Sequence, residues 1–352
     1  MEKLTSLEIC AGAGGQALGL EQAGFSHVAA VEIDADAIET LKLNRDNDSL
    51  PPEQRWNVLH KDVHELDGSA YDGIDLFAGG VPCPPFSIAG KQLGQDDERD
   101  LFPKALELVE SSHPKAVLLE NVRGLAGPKF ANYRAQIVRR LNHLGYEVIW
   151  QVILASEHGV PQLRPRFVLV ALQREYAPYF WWPRPKGTPP TVGETLYELM
   201  AANGWPGASA WAARADSIGP TLVGGSKKHG GPDLGPTRAR EGWAKLGVKG
   251  SSIAEEAPGE ATPVDEMPRL TVRMAARIQG FPDSWEFYGR KTAAYRQVGN
   301  AFPPPVAKAL GESIRAALLK DDELLSQAIA SSEADGSISL SGPGTGVIRN
   351  IL

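Results

Sequence analysis

The chain has 352 residues, of which 42% are hydrophobic, enough for one large core with a smaller appended unit. No apolar run approaches the length needed to cross a bilayer and no secretion signal is visible, so we expect a cytoplasmic protein with no membrane partner. The two cysteines, Cys10 and Cys83, are too few for a disulfide framework or a metal site. The net charge of −7 argues against a nucleic-acid partner, yet seven basic and three acidic residues between Arg214 and Lys249 make that stretch locally positive.

The first half of the chain alternates short aliphatic runs with amphipathic segments, a pattern typical of a parallel sheet covered by helices. Strands are predicted at residues 6–9, 28–32, 74–78 and 116–120. Helices are predicted at residues 16–23, 35–44, 101–111 and 133–144. Two more strand-like runs, 147–155 and 167–172, flank a Gly-Val-Pro turn and predict an antiparallel hairpin at the sheet edge.

The second half changes in composition. Residues 174–268 are rich in Gly, Pro and Trp, which predicts a separate loop-rich domain. Helical patterns return at 271–279 and 305–319, whereas Ser, Gly, Asp and Glu after residue 320 predict a weakly ordered tail. The predicted organisation is a cofactor-binding domain at 1–176, a middle domain at 177–288, a return to the first domain at 289–320, and a tail at 321–352.

A glycine-rich turn at residues 10–15 lies between the first strand and the first helix, where glycines let the backbone approach a ligand closely. Glu32 ends the next strand, a position from which a carboxylate can hold both hydroxyls of a ribose. Asp62 is a candidate acceptor for an adenine amino group, although an isolated Asp is more often a cap. Taken by itself, the glycine-rich turn followed by Glu32 indicates a nucleotide-like cofactor.

Candidate catalytic side chains follow the next two strands. Cys83 lies between prolines directly after an apolar strand, which places it in the crevice where open α/β sheets bind ligands rather than in a core. Glu120 ends the following strand beside the same crevice, where desolvation would raise its pKa. Arg164 and Arg166 alternate at the start of a strand, so both guanidiniums are expected to serve one anionic or carbonyl-rich site.

In this order, these segments resemble the bacterial DNA cytosine-5 methyltransferase family from Leu7 to about Leu310. The resemblance implies a Rossmann-like methyltransferase fold with S-adenosyl-L-methionine as cofactor. Cys10 departs from the family, which commonly has an aromatic residue against the adenosine at this position. The implied cofactor-binding residues are Cys10, Ala11, Gly12, Ala13, Gly15, Glu32, Ile33, Asp62, Val63, Gly80, Pro82, Asn300 and Ala301.

The resemblance also implies a mechanism. Cys83 adds to carbon 6 of a cytosine that has been flipped out of the duplex, because carbon 5 is too poor a nucleophile without this activation. Glu120 hydrogen-bonds the ring N3 and the exocyclic amine, and Arg166 holds the ring carbonyl. Arg164 steadies the loop or a phosphate. After methyl transfer, loss of the carbon 5 proton releases Cys83.

Double-stranded DNA is the implied partner, and residues 177–288 become the target-recognition domain. Arg238 and Arg240 are candidates for reading guanine, and each is also a plausible phosphate contact. The resemblance further implies a restriction-modification or phage-protection role, with a separately acting endonuclease, for a monomer. The implied DNA-binding residues are Ser87, Gln162, Thr221, Lys227, Lys228, Arg238 and Arg240.

Two alternatives stay open at this point. The first is an RNA cytosine-5 methyltransferase on the same scaffold, but the transfer-RNA branch carries a Cys-Phe-Thr motif that this chain lacks. The second is a non-catalytic DNA-binding relative, which would have no need for Cys83 beside Glu120 and Arg166. A nicotinamide oxidoreductase is a less favoured hypothesis, because the glycine pattern that binds the phosphates of its cofactor is absent.

Overall fold

The computed structural model describes residues 4–46, 56–82, 100–225 and 233–334. These residues form a seven-stranded sheet in the order β3-β2-β1-β4-β5-β7-β6. Strands β1 to β5 are parallel to one another, and β7 is antiparallel to both β5 and β6, which confirms the predicted α/β fold with an antiparallel edge. The strands are β1 (Leu4–Ile9), β2 (Phe25–Glu32), β3 (Val58–His60), β4 (Leu76–Gly80), β5 (Ala116–Val122), β6 (Tyr146–Leu154) and β7 (Pro165–Gln173).

The sheet order reverses between β1 and β4, since β2 and β3 lie on one side of this pair and β5 on the other. Such a switch point leaves a crevice beyond the carboxyl ends of the strands, where open α/β sheets bind ligands. In register, Ile9 lies opposite Gly79, and Gly80 lies opposite Glu120. The glycine turn after β1, the segment before Cys83 and the end of β5 therefore reach the same edge.

Helices cover the sheet and also occur in the middle segment. Those in the described residues are α1 (Gly15–Gln22), α2 (Ala35–Asp46), α3 (Phe102–Ser112), α4 (Ala131–His143), α5 (Val192–Ala201), α6 (Ala208–Arg214), α7 (Thr237–Lys245), α8 (Val272–Gln279), α9 (Lys291–Asn300), α10 (Pro304–Leu318) and α11 (Asp322–Ala334). None of them is both long enough and apolar enough to cross a bilayer, as far as the described chain extends.

Helix α1 packs directly on α10. A β-carbon added to Gly19 would lie 2.4 Å from the Pro304 carbonyl oxygen, so the two backbones touch without an intervening side chain. A β-carbon on Gly15 would likewise lie 2.3 Å from the Phe302 carbonyl. The chain that returns after the middle segment is thus held against the helix that follows the glycine turn.

The middle segment contains the helices α5, α6 and α7 between stretches of turn and irregular backbone. Thr191 and Glu194 form a reciprocal capping box at the start of α5, a local signal that fixes a helix N-terminus. Trp211 of α6 and Trp243 of α7 are fully buried. Their apolar cluster is continuous with Leu41 of α2, so this segment shares a core with the first domain.

The chain beyond residue 320 also differs from the prediction of weak order, since Asp322–Ala334 forms α11. The Asp321 carboxylate accepts a hydrogen bond from the Leu324 backbone N–H at 2.9 Å, and two acidic residues occupy the first turn. Both features stabilise a helix N-terminus. Residues 335–352, the rest of the predicted tail, lie outside the described residues.

Candidate active site and cofactor cavity

A cavity of about 400 Å³ opens at the carboxyl ends of β1, β2 and β4. Many of the residues expected to bind the cofactor line it: residues 10–13 of the glycine turn, Glu32, Ile33, Gly80, Pro82, Asn300 and Ala301. Glu120 also lines the cavity. The structure therefore brings the predicted cofactor segments and one predicted catalytic side chain to one place.

Glu32 is fixed by the backbone around it. Its Oε2 accepts from the Gly12 N–H at 2.7 Å, and its Oε1 accepts from the N–H groups of Ile33 and Asp34, each at 2.8 Å. The turn reaches this position through left-handed backbone at Cys10, with φ of 52°, and at Gly12, with φ of 53°. Three backbone donors thus orient one carboxylate at the cavity wall, a geometry suited to a polyhydroxyl ligand.

Three of the expected cofactor residues lie elsewhere. Gly15 packs against the backbone of Phe302 instead of lining the cavity. Asp62 caps a short 3-10 turn by accepting from the His64 N–H at 2.9 Å, and Val63 is buried behind it. The observed contact of Asp62 is therefore that of a helix cap, which is the commoner role of an isolated Asp.

Several cavity residues were not singled out from the sequence. Glu8 and Gln16 line the cavity while buried, and Arg296 lies at its edge within 3.5 Å of Asp36 and 3.8 Å of Asp34. The sequence signal for Glu8 was a charged residue between Leu7 and Ile9 in a predicted strand. For Arg296 the signal was its position four residues before Asn300, which was predicted to bind the cofactor and which lines the same cavity.

Glu120 and Arg166 form an ion pair, with 2.7 Å between Glu120 Oε1 and Arg166 Nε. Burial raises the pKa of the Glu120 carboxyl, and the charges of Arg166 and Arg164 oppose this rise. A β-carbon on Gly80 would lie 3.4 Å from Glu120 Oε2, so the carboxylate faces the end of β4 across the cavity edge. The predicted desolvation of Glu120 and its proximity to both arginines are thus present.

The end of β4 is held next to β5. The Asn121 side-chain N–H donates to the Val81 carbonyl at 2.6 Å, and the Leu101 N–H donates to the Pro82 carbonyl at 3.3 Å. These bonds fix the backbone position from which Cys83 follows. Cys83, like the predicted DNA contacts Ser87, Lys227 and Lys228, lies outside the described residues.

Arg164 is fully buried and bonded to backbone carbonyls. Its Nη1 donates to Leu222 O at 2.8 Å, and its Nη2 donates to Gly299 O at 2.9 Å and Ala301 O at 2.7 Å. Arg164 was expected either to steady the loop or to contact a phosphate. The structure shows the first, and the full burial of the guanidinium is incompatible with the second. Arg164 is therefore a positioning residue rather than a catalytic one.

Gln162 requires a similar correction, because it was expected to contact DNA. Its side chain is fully buried, accepting from Leu222 N–H at 3.0 Å and donating to Ile278 O at 3.1 Å. Both ends of the amide are used inside the protein. Gln162 therefore joins the loop at residues 220–225 to the end of α8, and it has no free face for a base or phosphate.

The other predicted DNA-binding residues differ in exposure. The Thr221 hydroxyl donates to the Leu163 carbonyl, which fixes the same loop. Arg238 is exposed on α7. Arg240, two residues further, is partly buried against Gly250 and lies 3.4 Å from the Thr237 hydroxyl. Arg238 thus keeps its charge available to a partner, and Arg240 is partly occupied in packing.

Comparison with known proteins gives the class that this fold and site define. Residues 4–316 match the C-5 cytosine-specific DNA methylase family, and the chain belongs to that family. It is 57% identical over 335 residues to the type II methyltransferase M.NaeI of Lentzea aerocolonigenes, covering 94% of this chain and 79% of that protein. It is 53% identical over 324 residues to M.NgoMIV of Neisseria gonorrhoeae, covering 91% of this chain and 100% of that protein.

Solved structures show the same fold at low sequence identity. A Spodoptera frugiperda DNMT2 mutant superposes with a TM-score of 0.62 at 18% identity, covering 89% of this chain and 99% of that one. The Entamoeba histolytica methyltransferase EhMeth gives 0.61 at 14% identity, with coverage of 91% and 99%. The protein is accordingly a DNA cytosine-5 methyltransferase, and its family uses S-adenosyl-L-methionine.

The residues around the cavity fit this cofactor. Glu32 presents an oriented carboxylate suited to ribose hydroxyls, and the close turn at Gly12 leaves backbone exposed to a ligand. Among the described residues, the buried polar atoms of Gln16 have no hydrogen-bond partner, and those of Glu8 have only the nearby Ala17 N–H. Buried polar atoms in a protein are almost always bonded, so these atoms are suited to the polar end of a bound molecule.

Proposed function

We propose that the cavity and the Glu120–Arg166 pair form one active site, in which Cys83 attacks a cytosine turned out of a DNA duplex. The observation that carries the proposal is the 2.7 Å ion pair at the cavity edge, because a carboxylate held by a guanidinium is suited to hydrogen-bond a cytosine ring. Cys83 follows directly on Pro82, which lines the same cavity. The carboxylate and the guanidinium thus meet at the cavity edge, and the proposal adds the thiol of Cys83 to them.

In this proposal the chain's own residues activate the base. The Cys83 thiolate adds to carbon 6, which makes carbon 5 electron-rich. Glu120 stabilises the developing charge through the ring N3 and exocyclic amine, and Arg166 holds both the ring carbonyl and the Glu120 carboxylate. The bound cofactor supplies an electrophilic methyl group to carbon 5. Removal of the carbon 5 proton then lets the Cys83 sulfur leave.

The recognition of duplex DNA is proposed to belong to residues 177–288, between the catalytic segments 1–176 and 289–320. The loop at 220–225 supports this division, since Gln162 and Arg164 fix it beside the site while Val223 stays exposed. Lys227 and Lys228 follow this loop in sequence. Arg238 extends the positive surface on α7 and is proposed to contact a phosphate.

We further propose that the protein is the modification component of a restriction-modification system. The support is its 57% and 53% identity to proteins named as type II methyltransferases. In such a system the methylase protects a DNA site from a separately acting endonuclease. We propose that it works as a monomer in the bacterial cytoplasm.

A covalent trap tests the proposed nucleophile. A duplex in which 5-fluorocytosine replaces the target base is incubated with the protein and S-adenosyl-L-methionine, because fluorine at carbon 5 cannot leave as a proton. Wild type should form an adduct stable to denaturing electrophoresis, and Cys83→Ser should form none. An equal adduct with Cys83→Ser would exclude Cys83. Labelling of transfer RNA instead of duplex DNA would overturn the substrate.

The biological role needs a separate experiment. Genomic DNA from cells that express the protein should show one protected sequence motif after bisulfite sequencing. Plasmid from the same cells should resist an endonuclease that cuts this motif, and plasmid from cells expressing Cys83→Ala should be cut. Methylation spread over cytosines of unrelated sequence contexts would contradict a modification enzyme with a defined site.

A further inference from the structure

Leu163 presents an aliphatic side chain to solvent from a firmly bonded stretch of backbone. The residue is 51% exposed, although its neighbours Gln162 and Arg164 are fully buried. Its N–H donates to the Gly219 carbonyl at 2.8 Å, and its carbonyl accepts from the Thr221 hydroxyl. Both backbone groups of Leu163 are thus bonded inside the protein, and its side chain alone is left to meet a partner.

The support of Leu163 distinguishes it from an ordinary surface leucine. Single exposed aliphatic side chains are common on proteins and by themselves indicate nothing. Here the residues on both sides hold the same point of the neighbouring loop, since Gln162 accepts from the Leu222 N–H at 3.0 Å and Arg164 donates to the Leu222 carbonyl at 2.8 Å. A group held so rigidly loses little conformational entropy when it binds, so its contact with a partner is not offset by ordering.

Two further exposed aliphatic residues belong to the same segments. Val223 is 40% exposed and follows the point of the loop that the neighbours of Leu163 hold. Val122 is 54% exposed and lies opposite Arg166 in the register of β5 and β7. We call Val122, Leu163 and Val223 the apolar rim. The rim borders the segments that carry the proposed base-binding pair of Glu120 and Arg166.

The chemistry of the apolar rim fits the bases of DNA rather than its backbone. Phosphates are bound by cations and hydrogen-bond donors, and the three side chains of the rim offer neither. A base that leaves the duplex uncovers the apolar faces of the base pairs next to it. Covering such a face with an aliphatic side chain is favourable, and proteins that unstack a base step often insert leucine or another apolar residue there.

We propose that Leu163 is an unstacking contact: its side chain packs against the base pair next to the target cytosine after the cytosine has left the duplex, with Val223 beside it. The inference rests on the proposed function, in which the extruded cytosine is held by Glu120 and Arg166. Leu163 stabilises the extruded state alone, because the base face that it covers is hidden while the target is stacked.

Binding and extrusion test this role separately. The probe is a duplex that contains the motif found by bisulfite sequencing, with 2-aminopurine in place of the target cytosine, because this base fluoresces strongly once it is unstacked. Leu163→Ala should lower the fluorescence at saturating protein and weaken the unlabelled target duplex by about fivefold or more, whereas a non-target duplex should stay within about twofold of wild type. Undiminished fluorescence and target affinity would overturn the proposal, and equal losses for target and non-target duplexes would also do so.

Two variants control for size and for exposure. Leu163→Met keeps an apolar side chain of similar volume and should retain the fluorescence and the affinity of wild type within about twofold. Leu324→Ala removes the same atoms from another exposed leucine, 42% exposed on α11, a helix that adds nothing to the described lining of the cavity, and should change neither quantity.

A target that is already unpaired distinguishes extrusion from a structural effect. A cytosine opposite an abasic site has no base pair to lose, so less energy is needed to extrude it. In single turnovers at saturating duplex and S-adenosyl-L-methionine, Leu163→Ala should methylate the paired target several times more slowly than wild type does. It should come within about twofold of wild type on the unpaired target. An equal slowing on both targets would contradict a role in unstacking.

The failure of this inference differs from the failure of the proposed function. If wild type forms no Cys83 adduct with the 5-fluorocytosine duplex, the proposed function is rejected. If wild type forms the adduct while Leu163→Ala extrudes and methylates the paired target as fast as wild type, the role of Leu163 alone is rejected. Urea unfolding of Leu163→Ala verifies that the half-exposed side chain is not needed for folding.

Discussion

Arg166 Nε lies 2.7 Å from Glu120 Oε1, and the two side chains are only 13% and 12% exposed. Their attraction is screened little at this depth, so each charge depends on the other for its solvation. Removing either one leaves its partner as an unpaired charge at the edge of the cavity. The pair therefore acts as a unit, in which the guanidinium orients the carboxylate that is proposed to hold the cytosine ring.

Glu120→Gln and Arg166→Lys should each lower the rate of methyl transfer at saturating substrates on the order of 100-fold or more. The double variant should lose less than the product of the two single losses, because residues in contact are coupled. Initial rates with tritiated S-adenosyl-L-methionine and a duplex substrate measure both effects. Strictly multiplicative losses would show that the two side chains act independently.

A second ion pair provides the control for that experiment. Arg140 and Glu110 are 2.9 Å apart but more exposed, on helices α4 and α3. Glu110→Gln removes a pair of the same chemistry and should leave the rate within about twofold of wild type, since exposed pairs contribute little. A large loss in Glu110→Gln would mean that charge changes anywhere in the domain impair catalysis.

Much of the architecture was predictable because it depends on local patterns. Apolar runs ending in Glu32 and Glu120 predicted parallel strands, and parallel strands deliver their last residues to one edge of a sheet. The hairpin of β6 and β7 followed from two strand-like runs around a glycine turn. These predictions required only two things. One is the alternation of side chains along a strand, and the other is the rule that open α/β sheets bind ligands beyond the carboxyl ends of their strands.

The roles of Gln162 and Arg164 were not predictable in the same way. Alternation predicted that Arg164 and Arg166 face one side, but it does not reveal which guanidinium pairs with Glu120 and which is enclosed by backbone carbonyls. The enclosing atoms come from Leu222, Gly299 and Ala301, more than fifty residues away in sequence. Full burial of polar side chains is a tertiary property, so it appears only when these segments meet.

Arg164→Met should destabilise the folded protein by about 3–5 kcal/mol, since it removes a buried charged donor and leaves three carbonyls without it. Urea unfolding monitored by tryptophan fluorescence measures the loss. Leu163→Ala changes the preceding residue, whose side chain is 51% exposed, and should stay within about 0.5 kcal/mol of wild type. Comparable losses from both variants would place the cause in the local backbone instead of the guanidinium.

Arg238→Ala should weaken duplex binding by a similar factor for target and non-target sequences, because an exposed arginine on α7 is proposed to meet a phosphate. The slope of log K against log salt concentration should fall by about 0.9, the value for one phosphate contact on duplex DNA. Fluorescence anisotropy across a salt series measures both quantities. Arg140→Ala, a surface arginine paired with Glu110, serves as the control and should keep the wild-type slope.

Loss of affinity for the target alone, with an unchanged salt slope, would instead make Arg238 a reader of base edges. That outcome would contradict the phosphate assignment while leaving the DNA interface in place. Arg240 offers less information, because its partial burial against Gly250 mixes packing with charge.

Gly224→Ala should impair both folding and duplex binding. A β-carbon there would lie 2.3 Å from the Arg296 carbonyl and 2.7 Å from Asn300 Oδ1, so the loop at 220–225 must move away from α9. Overpacking of this kind costs about 1–3 kcal/mol. Gly124→Ala is the matched control, since its nearest neighbour would be a Val122 methyl at 4.0 Å. Thermal unfolding and duplex affinity should change in the first variant and remain near wild type in the second.

Acid should destabilise the protein through His27, whose burial lowers its pKa from 6.5 to about 4. The Nε2–H donates to the Ala17 carbonyl at 2.9 Å, so Nδ1, 2.9 Å from the Ser6 hydroxyl, accepts in the neutral ring. The folded state binds fewer protons than the unfolded state below pH 6.5. The stability from this group is therefore complete above that value, is lost as pH falls toward 4, and is about 2 kcal/mol lower at pH 5.

Urea unfolding of wild type and His27→Gln at pH 7 and pH 5 isolates this contribution. The comparison between proteins is needed because Glu8, with its raised pKa, favours the folded state at lower pH and so acts with the opposite sign. His27→Gln should be less stable than wild type at pH 7, having lost the bonds to Ser6 and Ala17, yet it should lose less stability on acidification. An identical pH dependence in the two proteins would show that His27 titrates normally and is accessible to solvent protons.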